Sequence, residues 1–169
     1  MLWNSSGYEG METLEILKET VDMYLPDLKT LDPEIAKRFF NAVDYPEHAV
    51  KAILKMMEYG ENRSGVIIRH LIIPGFLKNT RQVLAWFSEY CRGRAQLSLM
   101  TQYTPVGEAV PGRYVLQEEY EAVLLMLDEY DINDGFCQEL VTGIDWLPDF
   151  SRRNPFSSKL SEKLWHWKE

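Results

Sequence analysis

Two polar residues interrupt the most apolar stretch of this chain, Gly65 to Gly75, which reads GVIIRHLIIPG. Most of its other side chains are branched and apolar, which predicts a buried parallel β-strand covered on both faces. Arg69 and His70 lie in the middle of that strand. A buried guanidinium costs several kcal/mol unless it is paired, so Arg69 requires an anion. The anion is either a glutamate in a structural ion pair or a bound ligand.

Polar groups also occur at the ends of the other predicted strands. They are Asn4, Ser5 and Ser6; Asp27 and Lys29; Gln102 and Tyr103; and Gln138 and Glu139. The carboxyl ends of parallel strands meet at one edge of a sheet, where βα folds bind their ligands. Together with Arg69 and His70, these residues predict a binding mouth for a zwitterionic, hydroxyl-bearing ligand.

The elements that position these groups alternate between strand and helix. We predict strands at Leu2-Trp3, Val21–Leu25, Gly65–Gly75, Gln96–Tyr103 and Gly135–Val141. Helices are predicted from Met11, from Asp32 to about Ala42, from Pro46, over Thr80–Tyr90, over Leu116–Glu129 and over Ser158–Trp167. This alternation predicts an α/β fold with a parallel sheet and right-handed crossovers.

Composition narrows the class of protein. The chain has 169 residues, enough for one domain with a core, and a net charge of −8, which argues against nucleic-acid binding. No apolar run approaches the roughly 20 residues that cross a bilayer, and no signal-peptide pattern is present, so we expect a cytoplasmic protein without a membrane partner. Cys91 and Cys137 fit no metal-ligand spacing, which favours two reduced structural thiols.

Other candidate residues have simpler interpretations. His48 is expected at the surface, His166 in aromatic packing, and Glu118, Glu119 and Glu121 on a solvated helix face. The sequence contains no Ser-His-Asp spacing, phosphate-cradling GxxxxGK segment or zinc ligand set, and no nucleophile beside an activating base. We therefore predict residues that bind a ligand, and we predict no catalytic residue.

Five segments carry a resemblance to a known family. They are NSSGYEGMETLEILKETVDMYLPDLK (4–29), RHLIIPG (69–75), TQYTPVG (101–107), GFCQE (135–139) and WLPDF (146–150). In this order and spacing they resemble the carboxyl-terminal half of a radical S-adenosylmethionine protein, and most of all the pyruvate formate-lyase activating enzymes and their less characterised relatives. The resemblance runs from residue 3 to about residue 156.

The resemblance implies a fold, cofactors and residue roles. Residues 1–156 would form the second half of a partial, TIM-like (β/α) barrel that lacks its amino-terminal strands, and residues 157–169 an aromatic tail. Such proteins bind S-adenosylmethionine against a [4Fe-4S] cluster. The resemblance implies that Asn4, Ser5 and Ser6 contact the methionine or ribose part of the cofactor, and that Asp27 and Lys29 lie near its methionyl group. Arg69, with His70 beside it, would lie near the carboxylate or the ribose. Gln102 and Tyr103 would lie towards the adenine.

One departure from the family is large. The CxxxCxxC loop that holds the cluster and the Gly-Gly-Glu segment that grips the methionine amine do not occur in this sequence. Cys91 and Cys137 cannot replace three converging thiolates. We therefore expect no metal ligand in this chain, no activity of the chain alone, and an exposed sheet edge that favours self-association.

Three hypotheses follow. In the first, the complete protein cleaves S-adenosylmethionine reductively to a 5′-deoxyadenosyl radical, with a glycyl radical enzyme as the partner that the resemblance implies. In the second, the chain is a binding or scaffold module without a cluster. In the third, it is an unrelated βα-barrel lyase in which Lys29 forms an imine, since a lysine at the carboxyl end of a strand is well placed for that chemistry.

Overall fold

The computed structural model describes residues 1–61, 63–105, 111–140, 143, 148–152 and 155. Strands and helices alternate, as the sequence predicts, and the mixed α/β class is confirmed. The elements are β1 (Leu2–Ser5), α1 (Met11–Leu17), β2 (Met23–Pro26), α2 (Pro33–Phe40), α3 (Tyr45–Gly60), β3 (Ile67–Leu71), α4 (Leu77–Tyr90), β4 (Gln96–Met100), α5 (Gln117–Glu129) and β5 (Gly135–Cys137). The helix predicted over Ser158–Trp167 lies outside the described residues.

All strand pairs are parallel. Strands β1 and β2 form one small sheet, and β3, β4 and β5 form a second. Two isolated parallel bridges, Tyr24 with Val66 and Asp27 with Arg69, connect β2 to β3. The five described strands thus run side by side in chain order, and they do not close into a barrel.

The two faces of the strands differ in burial. In β3, Ile68 and His70 are buried whereas Ile67, Arg69 and Leu71 are half-buried, and β2 and β4 alternate in the same way. We call these the covered face and the open face. The prediction that β3 is covered on both faces is wrong for the described residues, because the helices pack against one face only.

The core lies between the covered face and the helices. Its largest fully buried side chains include Ile53 and Met56 of α3, Leu84 and Phe87 of α4, and Tyr24 of β2. Full burial of such a side chain contributes about 1.5–3 kcal/mol, so this interface stabilises the fold.

Helix α2 begins where the sequence predicts. The carboxylate of Asp32 accepts a hydrogen bond from the N–H of Glu34 at 2.8 Å, and Pro33 occupies the first turn. The helix ends at Asn41, whose φ of 53° lies in the left-handed region that asparagine tolerates. These two caps set the first and last turns of α2.

Candidate ligand-binding site at the strand ends

The open face carries a compact group of charges where β2 and β3 end. Lys29 Nζ donates to Asp27 Oδ2 at 2.7 Å, and Arg69 Nη2 lies 2.6 Å from Asp27 Oδ1. The side chains are 29%, 16% and 24% exposed for Lys29, Asp27 and Arg69, respectively. One carboxylate therefore joins two cations, and the three side chains together carry one excess positive charge. We call Asp27, Lys29 and Arg69 the Asp27 group.

The ion pair between Arg69 and Asp27 is close but poorly directed. Although Nη2 and Oδ1 are 2.6 Å apart, neither Oδ1 nor Arg69 Nε makes a well-aligned hydrogen bond with any described residue, and both atoms are buried. A buried polar atom without a hydrogen bond costs about 1–3 kcal/mol. Both atoms are therefore buried within a close ion pair and lack a hydrogen bond to any described residue.

The first strand contributes the three residues that the sequence predicts for the site. Asn4 pairs in register with Leu25, two residues before Asp27, and is exposed on the open face. Ser6 is also exposed, while the Oγ of Ser5, between them, accepts from the N–H of Gly7 at 3.3 Å. Asn4 and Ser6 are therefore exposed near the end of β2, whereas Ser5 is hydrogen-bonded within its own turn.

The structure places His70 on the covered face, away from Arg69. Its ring is fully buried, with Nδ1 2.7 Å from the carbonyl oxygen of Leu28 and Nε2 3.1 Å from Thr80 Oγ1. Because a carbonyl can only accept, Nδ1 carries the proton, and Nε2 can accept from the threonine hydroxyl. Burial lowers the pKa of His70 to about 4, so the ring is neutral near pH 7.

Gln102 and Tyr103 have partners of their own. Gln138 Nε2 donates to Gln102 Oε1 at 3.2 Å, and the Tyr103 hydroxyl donates to the carbonyl oxygen of Pro111 at 3.1 Å. Glu139 is exposed, and its carbonyl oxygen accepts from Thr101. Among the described residues, no hydrogen bond or ion pair joins these four side chains, Gln102, Tyr103, Gln138 and Glu139, to the Asp27 group.

Two buried residues that sequence reasoning missed hold the end of β2. Lys29 N–H donates to the Tyr45 hydroxyl at 3.0 Å, and that hydroxyl lies 2.8 Å from the carbonyl oxygen of Asp27 and 3.0 Å from that of Ser6. Asn79 Nδ2 donates to the carbonyl oxygen of Lys29 at 3.0 Å. Burial raises the pKa of Tyr45 above its usual value, so its proton is retained.

These tethers fix the backbone that carries Asp27 and Lys29. Gly7 shows how tightly the loops pack, because a Cβ there would lie 2.4 Å from the carbonyl oxygen of Asp27, and its φ of +75° suits glycine. No single-sequence signal marks Tyr45 or Asn79. Each simply lies in the first turn of a helix.

The expectation of a solvated acidic face on α5 is wrong for Glu119. This residue is buried, and its carboxylate accepts from Arg113 Nη1 at 2.7 Å, from Leu116 N–H at 2.9 Å and from Gly75 N–H at 2.6 Å. The Arg113 guanidinium is the largest cause that lowers the pKa of Glu119 to about 2. Glu119 thereby connects the turn after β3 to the start of α5.

The remaining described candidates are His48 and the two cysteines, and of these His48 lies at the surface as the sequence predicts. His48 is exposed, with Nδ1 3.0 Å from the carbonyl oxygen of Asp44. Cys91 is buried, Cys137 is exposed, and both are free thiols. No three His, Cys, Asp or Glu side chains within the described ranges could hold a metal ion, and none of the described helices is long and apolar enough to span a membrane. His166 lies outside the described residues.

Comparison with known proteins places the chain near one archaeal protein. It is 28% identical over 137 residues to the uncharacterized protein MJ0674 of Methanocaldococcus jannaschii, and the similarity covers 79% of this chain. The chain spans 39% of the length of that relative. No protein-family model and no solved structure matches the chain.

Proposed function

We propose that this chain is the S-adenosylmethionine-orienting part of a radical S-adenosylmethionine protein. The observation that carries the proposal is the convergence of Lys29 and Arg69 on the Asp27 carboxylate. The whole protein would cleave the cofactor reductively to a 5′-deoxyadenosyl radical, which would abstract hydrogen from a partner. The favoured partner is a glycyl radical enzyme, and the reaction would take place in the cytoplasm.

The charges of the site complement those of the ligand. S-adenosylmethionine carries a carboxylate, an ammonium group, a sulfonium centre and ribose hydroxyls. Arg69 and Lys29 can bind the carboxylate with charge-assisted hydrogen bonds, while Asp27 can accept from the ammonium or a hydroxyl. Asn4 and Ser6 supply further groups for hydroxyls.

A [4Fe-4S] cluster does not fit the residues that the structure describes. A cluster requires converging thiolates. Cys91 is buried beyond the end of α4, with a pKa that burial raises to about 12, and Cys137 is exposed on β5. We therefore derive only binding and orientation for this chain, and the redox chemistry of the proposal belongs to the whole protein.

The proposal includes the finer description of the fold. Five parallel strands in chain order, with helices on one face, are the arrangement expected of a barrel segment. The open face would then line the barrel interior. The half-buried state of Ile67 and Leu71 supports this, because such side chains need a further layer to be covered.

A second candidate function is a module that binds the same ligand without cleaving it. Our proposal depends on three side chains that act only by binding the ligand, namely Asp27, Lys29 and Arg69. A module of this kind would need the same side chains. The lyase hypothesis has less support, because the amine of Lys29 that would form an imine is engaged by Asp27 at 2.7 Å.

Calorimetric titration of the chain with S-adenosylmethionine tests the binding step. We expect stoichiometric binding that Arg69→Met weakens by about tenfold or more, since a charge-assisted hydrogen bond contributes about 1.5–3 kcal/mol. Lys51→Met is the matched control, because its ion pair with Glu47 is exposed on α3. Absence of binding, or equal weakening by both substitutions, would contradict the proposal.

A second experiment separates the enzyme from the module. The full-length protein, loaded anaerobically with iron and sulfide and then reduced, should release 5′-deoxyadenosine from S-adenosylmethionine. Binding without this product would favour the module. If Lys29 condenses with a carbonyl compound to an imine and water, and borohydride reduces that imine to a stable secondary amine on Lys29, the lyase would be favoured.

A further inference from the structure

The distribution of basic residues around the strand ends is uneven. Fourteen lysines and arginines lie in the described ranges, and eleven of them have a carboxylate oxygen within 4.0 Å. The three that lack such a partner among described residues are Lys37, Arg38 and Lys78. In a chain of net charge −8, these three are close to one another rather than dispersed.

Aromatic contacts join Arg38 of α2 to Phe76 at the start of α4. The Arg38 guanidinium lies 5.5 Å from the ring centroid of Phe39 and 5.4 Å from that of Phe76. Phe39 and Phe76 meet edge to face at 5.1 Å. Lys37 precedes Arg38 on α2, and Lys78 follows Phe76 by two residues on α4. The end of α2 and the start of α4 therefore present one surface.

We define this basic aromatic surface by its three cations and three phenyl rings. Its residues are Lys37, Arg38, Phe39, Phe40, Phe76 and Lys78. The three cations are exposed, Phe40 is 37% exposed, and Phe39 and Phe76 are half-buried. Lys29 Nζ lies 5.7 Å from the Phe40 ring centroid, so the surface adjoins the candidate ligand site.

Helix stability explains only part of this arrangement. Glu34 lies one turn before Arg38 on α2, the spacing at which an ion pair stabilises a helix, yet the guanidinium stacks on the rings instead. Lys78 lies in the first turn of α4, which has no acidic residue and where the helix dipole disfavours a positive charge. Lys78 therefore costs helix stability where it lies.

We infer that the basic aromatic surface binds an acidic segment of a partner protein that also carries apolar side chains. Arginine and aromatic side chains are enriched where protein interfaces gain most of their affinity, and unpaired cations select partners of opposite charge. A nucleic acid is the less favoured occupant, because a chain of net charge −8 repels a polyanion. This inference does not depend on the binding of S-adenosylmethionine.

Fluorescence anisotropy with the whole chain tests the inference. The probe is a labelled peptide in which glutamate alternates with leucine and tryptophan, compared with peptides that carry glutamine or lysine in place of glutamate. The test variant combines Lys37→Glu, Arg38→Glu and Lys78→Glu. The matched control combines Lys18→Glu, Lys51→Glu and Lys55→Glu, which change the net charge equally at basic residues that have carboxylate partners.

We expect the acidic peptide to bind best, and its affinity to fall at least about tenfold in the test variant and less than about twofold in the control. Arg38→Lys, which keeps the charge but not the planar stacking, should weaken binding by about threefold. Equal losses in both triple variants would overturn the inference, as would failure of the acidic peptide to bind. Tighter binding of single-stranded DNA or of phosphatidylserine vesicles than of the acidic peptide would also overturn it.

Discussion

Arg69 and His70 are neighbours on one strand, yet they lie in opposite environments. His70 is enclosed on the covered face, where the carbonyl oxygen of Leu28 and the hydroxyl of Thr80 occupy both ring nitrogens. Arg69 faces the open side, contacts the carboxylate of Asp27, and keeps a buried Nε without a hydrogen bond among described residues. The covered face thus uses a polar group to hold the fold, whereas the open face carries the polar groups that we propose bind a ligand.

The largest effect on stability is expected at the covered residue. His70→Ala should lower the free energy of unfolding by about 3 kcal/mol, because it creates a cavity and leaves the carbonyl oxygen of Leu28 unpaired. Arg69→Met keeps the apolar stem, and Lys29 still pairs with Asp27, so we expect a smaller loss of about 1–2 kcal/mol. Urea unfolding of both variants measures the difference, and a reversed order would contradict the division of the two faces.

The pH dependence of stability sharpens the same comparison. The pKa of His70 is about 4 in the folded chain and about 6.5 when unfolded, so the unfolded state binds more protons between these values. Stability should therefore fall as the pH decreases from 6.5 towards 4, by up to about 3 kcal/mol. The unfolded-state pKa of Glu119 is about 4.5, so the contribution of Glu119 to the free energy of unfolding is lost only below that pH. A change in stability between pH 4.5 and 6.5 is therefore assigned to His70.

Unfolding of His70→Gln across this pH range is the control. Glutamine can donate to the carbonyl oxygen of Leu28 but does not titrate, so its stability should vary less between pH 6.5 and 4.5. A wild-type curve that is flat over the same range would contradict the buried, neutral histidine.

Glu119→Gln should have the next largest effect. The substitution removes the charge that joins Arg113 to two backbone N–H groups, and we expect the free energy of unfolding at pH 7 to fall by about 2 kcal/mol. Glu118→Gln is the matched control, since Glu118 is exposed in the preceding position of the same helix. Thermal and urea unfolding measure both, and equal effects would remove the special role of Glu119.

The smallest expected change is that of Tyr45→Phe. Loss of the hydroxyl should cost about 1 kcal/mol of stability and loosen the backbone of Lys29, whose N–H donates to it. Hydrogen exchange of the Lys29 amide is the more direct measurement, and it should accelerate in Tyr45→Phe but not in Tyr8→Phe, which removes an exposed hydroxyl bonded to Asp44. Unchanged exchange would show that Tyr45 does not hold the strand end.

Much of the architecture could be predicted from local patterns. The Asp32-Pro33-Glu34 helix start and the Gly65–Gly75 strand both have strong short-range signals, and the structure contains both elements. The requirement of Arg69 for an anion was also predictable, because an unpaired buried guanidinium is costly. That Asp27 supplies this anion depends on the pairing of β2 with β3, which the sequence does not state.

The rest of the site depends on contacts between distant residues. Tyr45 and Asn79 reach the end of β2 from two different helices, and a hydroxyl or amide in a first helical turn has no periodic signal. Glu119 did have a usable signal, since glutamate at the third helical position often bonds back to the helix start. Strand alternation places His70 and Arg69 on opposite faces of β3, because neighbouring residues of a strand point to opposite sides of the sheet.

The proposed division of the sheet into a structural face and a ligand-binding face is tested most directly by nuclear magnetic resonance. In a titration of the labelled chain with S-adenosylmethionine, the Nε–Hε signal of Arg69 and the side-chain ammonium signal of Lys29 should shift with a common saturation, while the ring signals of His70 stay fixed. Shifts of the His70 ring without shifts at Arg69 and Lys29, or shifts confined to residues remote from all three, would contradict the account.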